Sequence, residues 1–273
     1  MNNQSARIWI RRIGFGFLGL IVLVILAVFF VIIYGEIFGP SSEELTNVSF
    51  ENNSGVELHG YLAQPEGEGP FPAILLIHEW WGLNEEMIVF ADSLADEGYI
   101  VLAADARRGE VTKTVPRALW LTLTVPENQI HNDLDRALEY LVNLDQVDPQ
   151  RVASLGFCFG GGQSLQISLR HPEMLAATVM FYGAVVTDPD ALRPLVIDQP
   201  LLGIFGEEDR SIPVNQVREF EEALNAMDVE NRILIYDGVG HAFVNAGNYK
   251  GTGTAAEAWQ ETLAFLDQHL INE

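Results

Sequence analysis

The chain begins with a long apolar stretch. From Ile13 to Gly35 it has 23 residues without a charge, and at about 1.5 Å per residue this length can cross a hydrocarbon core of about 30 Å. A cleaved signal peptide has a shorter apolar region, about 7–15 residues, that ends in small residues. The stretch therefore predicts an uncleaved transmembrane helix over residues 13–35. Residues 14–19 match the dinucleotide pattern G-x-G-x-x-G, but no strand precedes them as such a site requires.

The residues that flank this stretch predict its orientation. Arg7, Arg11 and Arg12 precede it and Glu36 follows it. Because Lys and Arg flanks stay in the cytoplasm, everything after residue 40 is expected to be extracytoplasmic. The predicted organisation is a cytoplasmic tail (1–12), the transmembrane helix (13–35), a linker (36–44) and one domain (45–273).

Beyond the linker the pattern alternates between strands and helices. Two alternating runs, 45–51 and 56–63, flank the turn residues 52–55 and predict a β-hairpin. The compact apolar run 71–77 is typical of a strand that is buried on both faces. Helices and further strands are predicted at 87–95 (helix), 99–104 (strand), 130–144 (helix), 151–156 (strand), 160–170 (helix), 176–182 (strand), 200–205 (strand), 214–226 (helix), 232–236 (strand) and 254–270 (helix). Such alternation predicts an α/β protein with a mostly parallel sheet and helices on both faces.

Residues 107–128 interrupt this alternation. They contain four of the 12 Lys and Arg residues that follow residue 40. A loop of this length in a compact domain is commonly functional, so one hypothesis is a lid or a substrate mouth. The alternative is an ordinary surface excursion with a helical turn that buries Trp120.

The charge and the cysteine count exclude several classes of site. The chain has 15 Lys and Arg against 38 Asp and Glu, a formal charge of −23, and the part after residue 40 has 12 against 37, a charge of −25. Such a surface repels nucleic acid. It also does not bind anionic lipid, so the apolar helix alone is expected to hold the protein at the membrane. One cysteine excludes an intrachain disulfide and a Cys-rich zinc site.

The strongest chemical signal is a G-x-C-x-G motif at residues 156–160, between a predicted strand and a predicted helix. This is the arrangement of a nucleophile elbow, with Cys158 where serine is commoner. The nucleophile projects from a sharp turn, and Gly156 and Gly160 give the backbone the room that this turn needs. A helix N-terminus carries partial positive charge, so it is expected to favour the Cys158 thiolate. A lone cysteine is otherwise a small buried hydrophobic residue, but this context favours a nucleophile.

The acid that an elbow nucleophile needs is expected further along the chain. Asp209 follows the predicted strand 200–205, where catalytic loops of open α/β sheets gather. Glu207 and Glu208 are alternative acids in the same loop. Asp209 would also suit the cap of the helix that follows.

The histidine is expected after the acid. His241 follows the predicted strand 232–236 and fits this order. His78 also follows a strand and is the competing candidate. The other four histidines lie in or beside predicted helices or in the hairpin, namely His59, His131, His171 and His269.

Taken together, these motifs resemble the dienelactone hydrolases, a family of α/β-hydrolases with a Cys-His-Asp triad. The resemblance covers about residues 47–270 and includes Gly206-x-x-Asp209-x-x-x-Pro213, Gly240-His241-x-Phe243, and the segments 77–82 and 181–183. It implies an α/β-hydrolase fold and a triad of Cys158, His241 and Asp209. The transmembrane helix is a departure from the soluble members of this family.

The resemblance also implies roles for residues that their types alone do not single out. Glu79 matches a glutamate that contacts the catalytic thiol and helps to set its ionisation. The backbone N–H groups of Phe159 and Trp80 are expected to form the oxyanion hole, as the residue after a nucleophile and an amide of an earlier loop do in elbow enzymes. No metal or organic cofactor is expected.

The substrate is expected to be a small ester or lactone. The family's arginine after the catalytic histidine, which holds a substrate carboxylate, is replaced by Asn245. Arg107 or Arg108 matches another substrate arginine of the family, and Tyr182 is a further candidate for substrate binding. Two alternatives are a binding protein on a hydrolase scaffold and a thioesterase or peptidase with the same triad.

Overall fold

A computed structural model describes residues 3–196 and 199–271 of the chain, with side chains from residue 13 onward except that of Val196. The arginines on which the predicted orientation rests, Arg7, Arg11 and Arg12, lie outside the described side chains. The chain forms two units. One comprises the residues up to Pro40 together with Thr112–Thr124, and the other comprises Ser41–Val111 with the residues from Val125 onward.

The described residues of these units form eight strands and seven α-helices, together with two short 3-10 helices. The strands are β1 (Val48–Glu51), β2 (Glu57–Ala63), β3 (Phe71–Ile77), β4 (Ile100–Ala104), β5 (Val147–Phe157), β6 (Ala177–Phe181), β7 (Leu201–Gly206) and β8 (Asn231–Tyr236). The helices are α1 (Asn3–Phe38), α2 (Glu85–Asp96), α3 (Val115–Thr124), α4 (Glu127–Val142), α5 (Phe159–Arg170), α6 (Val214–Ala226) and α7 (Thr254–Leu270).

The first unit consists of the long helix α1 and the short helix α3. Within α1 the apolar span covers Ile13–Phe38, has a mean hydropathy of 3.3 and is long enough to cross a membrane. The helix includes the predicted span 13–35 and continues through residues 36–38 of the predicted linker. In α3, Trp120 is 42% exposed. The interpretation in which this segment buries Trp120 is therefore wrong.

The second unit is built on one eight-stranded sheet. Its strand order is β1-β2-β4-β3-β5-β6-β7-β8. The predicted hairpin forms the antiparallel pair β1–β2, and β2 pairs antiparallel with β4. All later neighbours are parallel. This arrangement confirms the predicted α/β class with a mostly parallel sheet.

Helices cover both faces of the sheet. Along β3, Ile74 and Leu76 point to one face, where they belong to a core that includes residues of α2 and α7. Leu75 and Ile77 point to the other face and share a core with α4. Helix α6 covers the same face further along the sheet, over β6 and β7. The run 71–77 is buried on both faces because successive side chains of a strand alternate between them.

The parallel strands bring the candidate site residues to one edge of the sheet. The carboxyl ends of parallel strands lie side by side, and ligands of open α/β sheets bind there. Each candidate residue follows the end of one strand. The pairs are Glu79 after β3, Cys158 after β5, Tyr182 after β6, Asp209 after β7 and His241 after β8.

Candidate active site

Cys158 occupies a sharp turn between β5 and α5. Its φ of 54° is one that side chains rarely adopt, and such strain is typical of functional positions. A Cβ on Gly156 would collide with the carbonyl oxygen of Gly160, and a Cβ on Gly160 would collide with that of Ile77. The Cys158 N–H donates to the carbonyl of Phe181 at 2.9 Å. The two glycines thus allow the close backbone approach that holds the thiol at the sheet edge.

His241 bridges the thiol and a carboxylate. Its Nε2 lies 3.1 Å from Cys158 Sγ, and its Nδ1 lies 2.6 Å from Asp209 Oδ2. Asp209 is 4% exposed, and its Oδ1 accepts the N–H groups of Ser211 at 2.7 Å and Ile212 at 3.1 Å. Because the carboxylate is fixed by two backbone donors, it can fix the ring of His241 in turn. The histidine is thereby oriented with Nε2 toward the sulfur.

The alternative acids and the competing histidine have other positions. Glu207 and Glu208 are exposed, and Glu207 accepts the Gly238 N–H at 3.3 Å. His78 is fully buried; its Nδ1 donates to the Glu79 carbonyl at 2.6 Å and its Nε2 accepts the Ala106 N–H at 3.2 Å. Burial lowers the pKa of His78 to about 4. Its two nitrogens are therefore occupied by the backbone, and its ring is neutral near pH 7.

Burial dominates the ionisation of the thiol. Burial, with a smaller contribution from the negative charge of Glu79, raises the pKa of Cys158 to about 11. Two hydrogen bonds toward the sulfur oppose this shift, and their donors are the backbone N–H groups of Phe159 and Trp80. The Phe159 N–H at the helix N-terminus therefore favours the thiolate in the expected direction, but the neutral thiol is the main form near pH 7. Desolvation of the anion outweighs the favourable amides.

The same two amides are those predicted for an oxyanion hole. They converge on Sγ from α5 and from the loop after β3. An oxygen that develops negative charge beside the sulfur would meet both donors.

Glu79 is buried and lines the same pocket as Cys158 and His241. Burial raises the pKa of its carboxyl to about 7, with a further contribution from the charge of Glu86. Near neutral pH this carboxyl is therefore close to half ionised, in contrast to an exposed glutamate. It affects Cys158 through its charge.

A pocket of about 420 Å³ opens above the thiol. Glu79, Cys158 and His241 line it together with mostly apolar groups, namely Trp80, Trp81, Phe159, Tyr182, Ala184, Ser211, Ile212 and Ala242. No Lys or Arg is among the described residues that line it. The sequence did not single out Trp81 or Ile212. The sequence signal that could have indicated them is that Trp81 follows Trp80 and that Ile212 lies three residues after Asp209.

The four candidate substrate residues differ in where they lie. The Tyr182 ring lines the pocket, and its hydroxyl donates to the Val244 carbonyl at 3.0 Å. The Arg107 guanidinium is buried 5.2 Å from the centre of the Phe159 ring. Arg108 pairs with Asp133 at 2.7 Å. Asn245 is exposed, and its side chain accepts the Gly247 N–H at 3.0 Å. The structure therefore brings Tyr182 to the thiol and places Arg108 and Asn245 outside the pocket lining.

Within residues 3–196 and 199–271, no group of three or more His, Cys, Asp or Glu side chains has the arrangement of a metal site.

Comparison with known proteins identifies the family. The sequence profile of the dienelactone hydrolase family matches residues 58–270. The chain belongs to this family. It is 30% identical over 232 residues to "Protein usf" of Aquifex pyrophilus, which covers 82% of this chain and 98% of that protein. It is 30% identical over 233 residues to the "Putative carboxymethylenebutenolidase" of Escherichia coli K12, with 80% and 84% covered.

Solved structures agree with this assignment. The structure of a "Putative Dienelactone Hydrolase" from Klebsiella pneumoniae superposes with a TM-score of 0.70 at 27% identity and covers 81% of this chain and 98% of that one. An esterase of Thermogutta terrifontis superposes with a TM-score of 0.60 at 18% identity, with 83% and 93% covered, and shares the fold. The predicted dienelactone hydrolase family, the α/β-hydrolase fold and the enzyme class, a carboxylic ester or lactone hydrolase, are confirmed.

Proposed function

We propose that this dienelactone hydrolase family member cleaves its ester or lactone through a Cys158-His241-Asp209 triad. The observation that carries the proposal is the pair of contacts of His241, 3.1 Å from Nε2 to Sγ and 2.6 Å from Nδ1 to Asp209. A nucleophile, a base and a third group that orients the base are the parts that covalent catalysis requires. A binding protein would have no need of this alignment.

The proposed reaction has two steps. First, the Cys158 proton passes to His241 Nε2 while sulfur attacks the carbonyl carbon. The oxyanion that forms is stabilised by the N–H groups of Phe159 and Trp80, each worth about 3–4 kcal/mol in comparable sites. The C–O bond to the alcohol then breaks, and the leaving oxygen takes the proton from His241. In the second step His241 deprotonates water, which attacks the thioester and releases the acid and the thiol.

The test uses the single cysteine. Cys158→Ala should abolish turnover of 4-nitrophenyl acetate and labelling by iodoacetamide, because the chain has no other thiol. Ser211→Ala is the matched control, since Ser211 lines the pocket but supplies only a backbone N–H to Asp209. Full turnover by the Cys158→Ala variant would overturn the proposed nucleophile.

The lining of the pocket supports an uncharged acyl group. Aromatic and aliphatic side chains surround the thiol, and the one carboxylate there, Glu79, has no Lys or Arg beside it in the described lining. A carboxylate on the substrate would be desolvated without a counter-charge in this lining. 4-Nitrophenyl butyrate should therefore have a higher kcat/KM than the monoester of 4-nitrophenol with succinic acid. The opposite order would indicate that Arg107 reaches the substrate.

Helix α1 supports anchoring in a membrane. No residue of the most apolar part of its span Ile13–Phe38 is buried, and the arginines before it favour a cytoplasmic N-terminus with the hydrolase domain on the other side. If the helix is retained, intact mass spectrometry of the membrane fraction gives the full 30.3 kDa, and alkaline carbonate leaves the protein in the pellet. A shorter soluble product would overturn the anchor and leave the triad untouched.

A further inference from the structure

Helix α3 exposes an apolar face. The large side chains on that face are 42–74% exposed, and they belong to Val115, Leu119, Trp120 and Leu123. Residues four apart lie on the same side of a helix, so these positions form one stripe. The opposite side is buried and consists of Arg117, Ala118 and Leu121. Water is an unfavourable partner for a stripe of this size on so short a helix.

The polar atoms on the exposed side are already paired within the helix. Thr122 Oγ1 donates to the Ala118 carbonyl at 2.9 Å, and Thr124 Oγ1 donates to the Trp120 carbonyl at 2.7 Å. The one charged residue of α3, Arg117, is buried and forms an ion pair with Glu36 of α1. The exposed side of α3 therefore presents no unpaired hydroxyl and no charge. A helix face in contact with hydrocarbon has to meet this condition, because water is absent there.

The contact with α1 fixes the depth of α3. The apolar span of α1 has 26 residues, which is about 39 Å against about 30 Å of hydrocarbon. In a bilayer that α1 spans, the turns around Glu36, the charged residue of this span, would lie at the boundary between acyl chains and headgroups. Helix α3 contacts α1 in these turns, because the Arg117 stem packs on Gly35 and its guanidinium pairs with Glu36. Tryptophan is enriched at this level of a bilayer.

We propose that the apolar face of α3 lies in the outer boundary of the bilayer that α1 spans. The proposal rests on the anchoring by α1 put forward above and adds a second membrane element to it. The binding is apolar, which suits a chain whose charge of −25 after residue 40 repels anionic lipid. It also gives α3 a role other than the lid or substrate mouth hypothesised from the sequence for residues 107–128.

The experiment uses the full chain with one environment-sensitive nitrobenzoxadiazole label. Cys158→Ser removes the only native thiol, and Leu123→Cys introduces one on the stripe. Matched chains carry the label at position 24, in the middle of α1, or at position 222, on the exposed side of α6. Each is reconstituted in phosphatidylcholine vesicles with and without brominated acyl chains. Labels at 24 and 123 should lose most of their fluorescence to brominated lipid, and the label at 222 should lose it only to aqueous iodide.

Other outcomes overturn the proposal in distinguishable ways. A label at 123 that responds to iodide, beside a label at 24 that responds to brominated lipid, would leave the anchor standing and remove α3 from the bilayer. Iodide quenching at both positions would remove the anchor as well. Oxidative crosslinking between two copies through position 123, without lipid quenching, would assign the stripe to a second copy of the chain. Leu119→Cys repeats the measurement on the same stripe, so that misfolding of one variant does not decide it. Ester turnover by the wild type in the same vesicles tests the triad separately.

Discussion

Replacing Glu79 by glutamine gives the sharpest test of how the site sets its thiol. The negative charge of Glu79 raises the pKa of Cys158. The substitution keeps the size of the side chain and removes that charge. Because burial raises the pKa of Glu79 itself to about 7, the wild-type side chain is mostly neutral at pH 6 and mostly charged at pH 9. The substitution should therefore change the reactivity of Cys158 only above about pH 7.

The size of the change follows from two opposing effects. Loss of a nearby like charge lowers a pKa by about one unit, so the pKa of Cys158 falls from about 11 toward 10. The thiolate fraction at pH 9 then rises about tenfold. A less basic thiolate is also less nucleophilic, and with a Brønsted coefficient of about 0.5 this costs about threefold. The net rate of alkylation should rise about threefold.

The assay is the rate of iodoacetamide addition, followed by intact mass, since one thiol gives one adduct. The ratio of the Glu79→Gln rate to the wild-type rate should be near one at pH 6 and about three at pH 9. Glu85→Gln, an exposed change on α2, is the control and should have no effect at either pH. A ratio that does not depend on pH, or a slower variant at pH 9, would refute a charge effect of Glu79 on the thiol.

Three further predictions concern Asp209, Tyr182 and Glu79. Asp209→Asn should lower kcat for 4-nitrophenyl acetate about ten-thousandfold, because His241 loses the acceptor that fixes its tautomer. Tyr182→Phe should lower the free energy of unfolding by about 1–2 kcal/mol in urea titrations, since the buried Val244 carbonyl loses its donor. Glu79 binds protons more tightly in the folded state, with a pKa of about 7 against 4.5. From pH 4 to pH 8 the wild type should therefore lose about 3 kcal/mol of unfolding free energy relative to Glu79→Gln, measured in the same way.

The elements with strong periodicity were predictable from the sequence. Helices α6 and α7 have the predicted bounds 214–226 and 254–270, because an apolar stripe and a clear start after Pro213 and Gly253 mark each of them. Strand β5 begins at Val147 rather than at the predicted Arg151. Its first residue, Val147, is buried and pairs with Phe71 of β3, and the partly or fully exposed residues 148–151 follow before the pairing resumes at Val152 after a shift in register. Such a segment is a strand because it lies beside a neighbouring strand, and the local sequence pattern does not reveal that contact.

The position of Cys158 in the sequence was predictable from its neighbours, whereas its pKa was not. An elbow has to have small residues on both sides of its nucleophile, so Gly156 and Gly160 mark Cys158 in the sequence. The pKa of the thiol depends instead on its burial and on the charge of Glu79, which lies 79 residues away in the chain. The local pattern includes only the helix N-terminus, which acts in the opposite direction. The sequence therefore indicated one contribution that favours the thiolate and did not reveal the larger effect of burial.

The segment 112–124 shows how a distant contact changes the interpretation of a local pattern. By sequence it belongs to the hydrolase domain and lies within residues 107–128, for which the hypotheses were a lid or substrate mouth and an ordinary surface excursion. In the structure Arg117 is buried and its charge is met by Glu36, 81 residues earlier. A buried guanidinium requires such a partner, since desolvation of a lone charge costs several kcal/mol. The pair therefore ties α3 to the apolar helix, and the side of α3 that remains exposed is the apolar one. Sequence pattern alone leaves a lid and a surface excursion open for this segment, whereas the ion pair with α1 is the contact from which we infer a membrane-facing side.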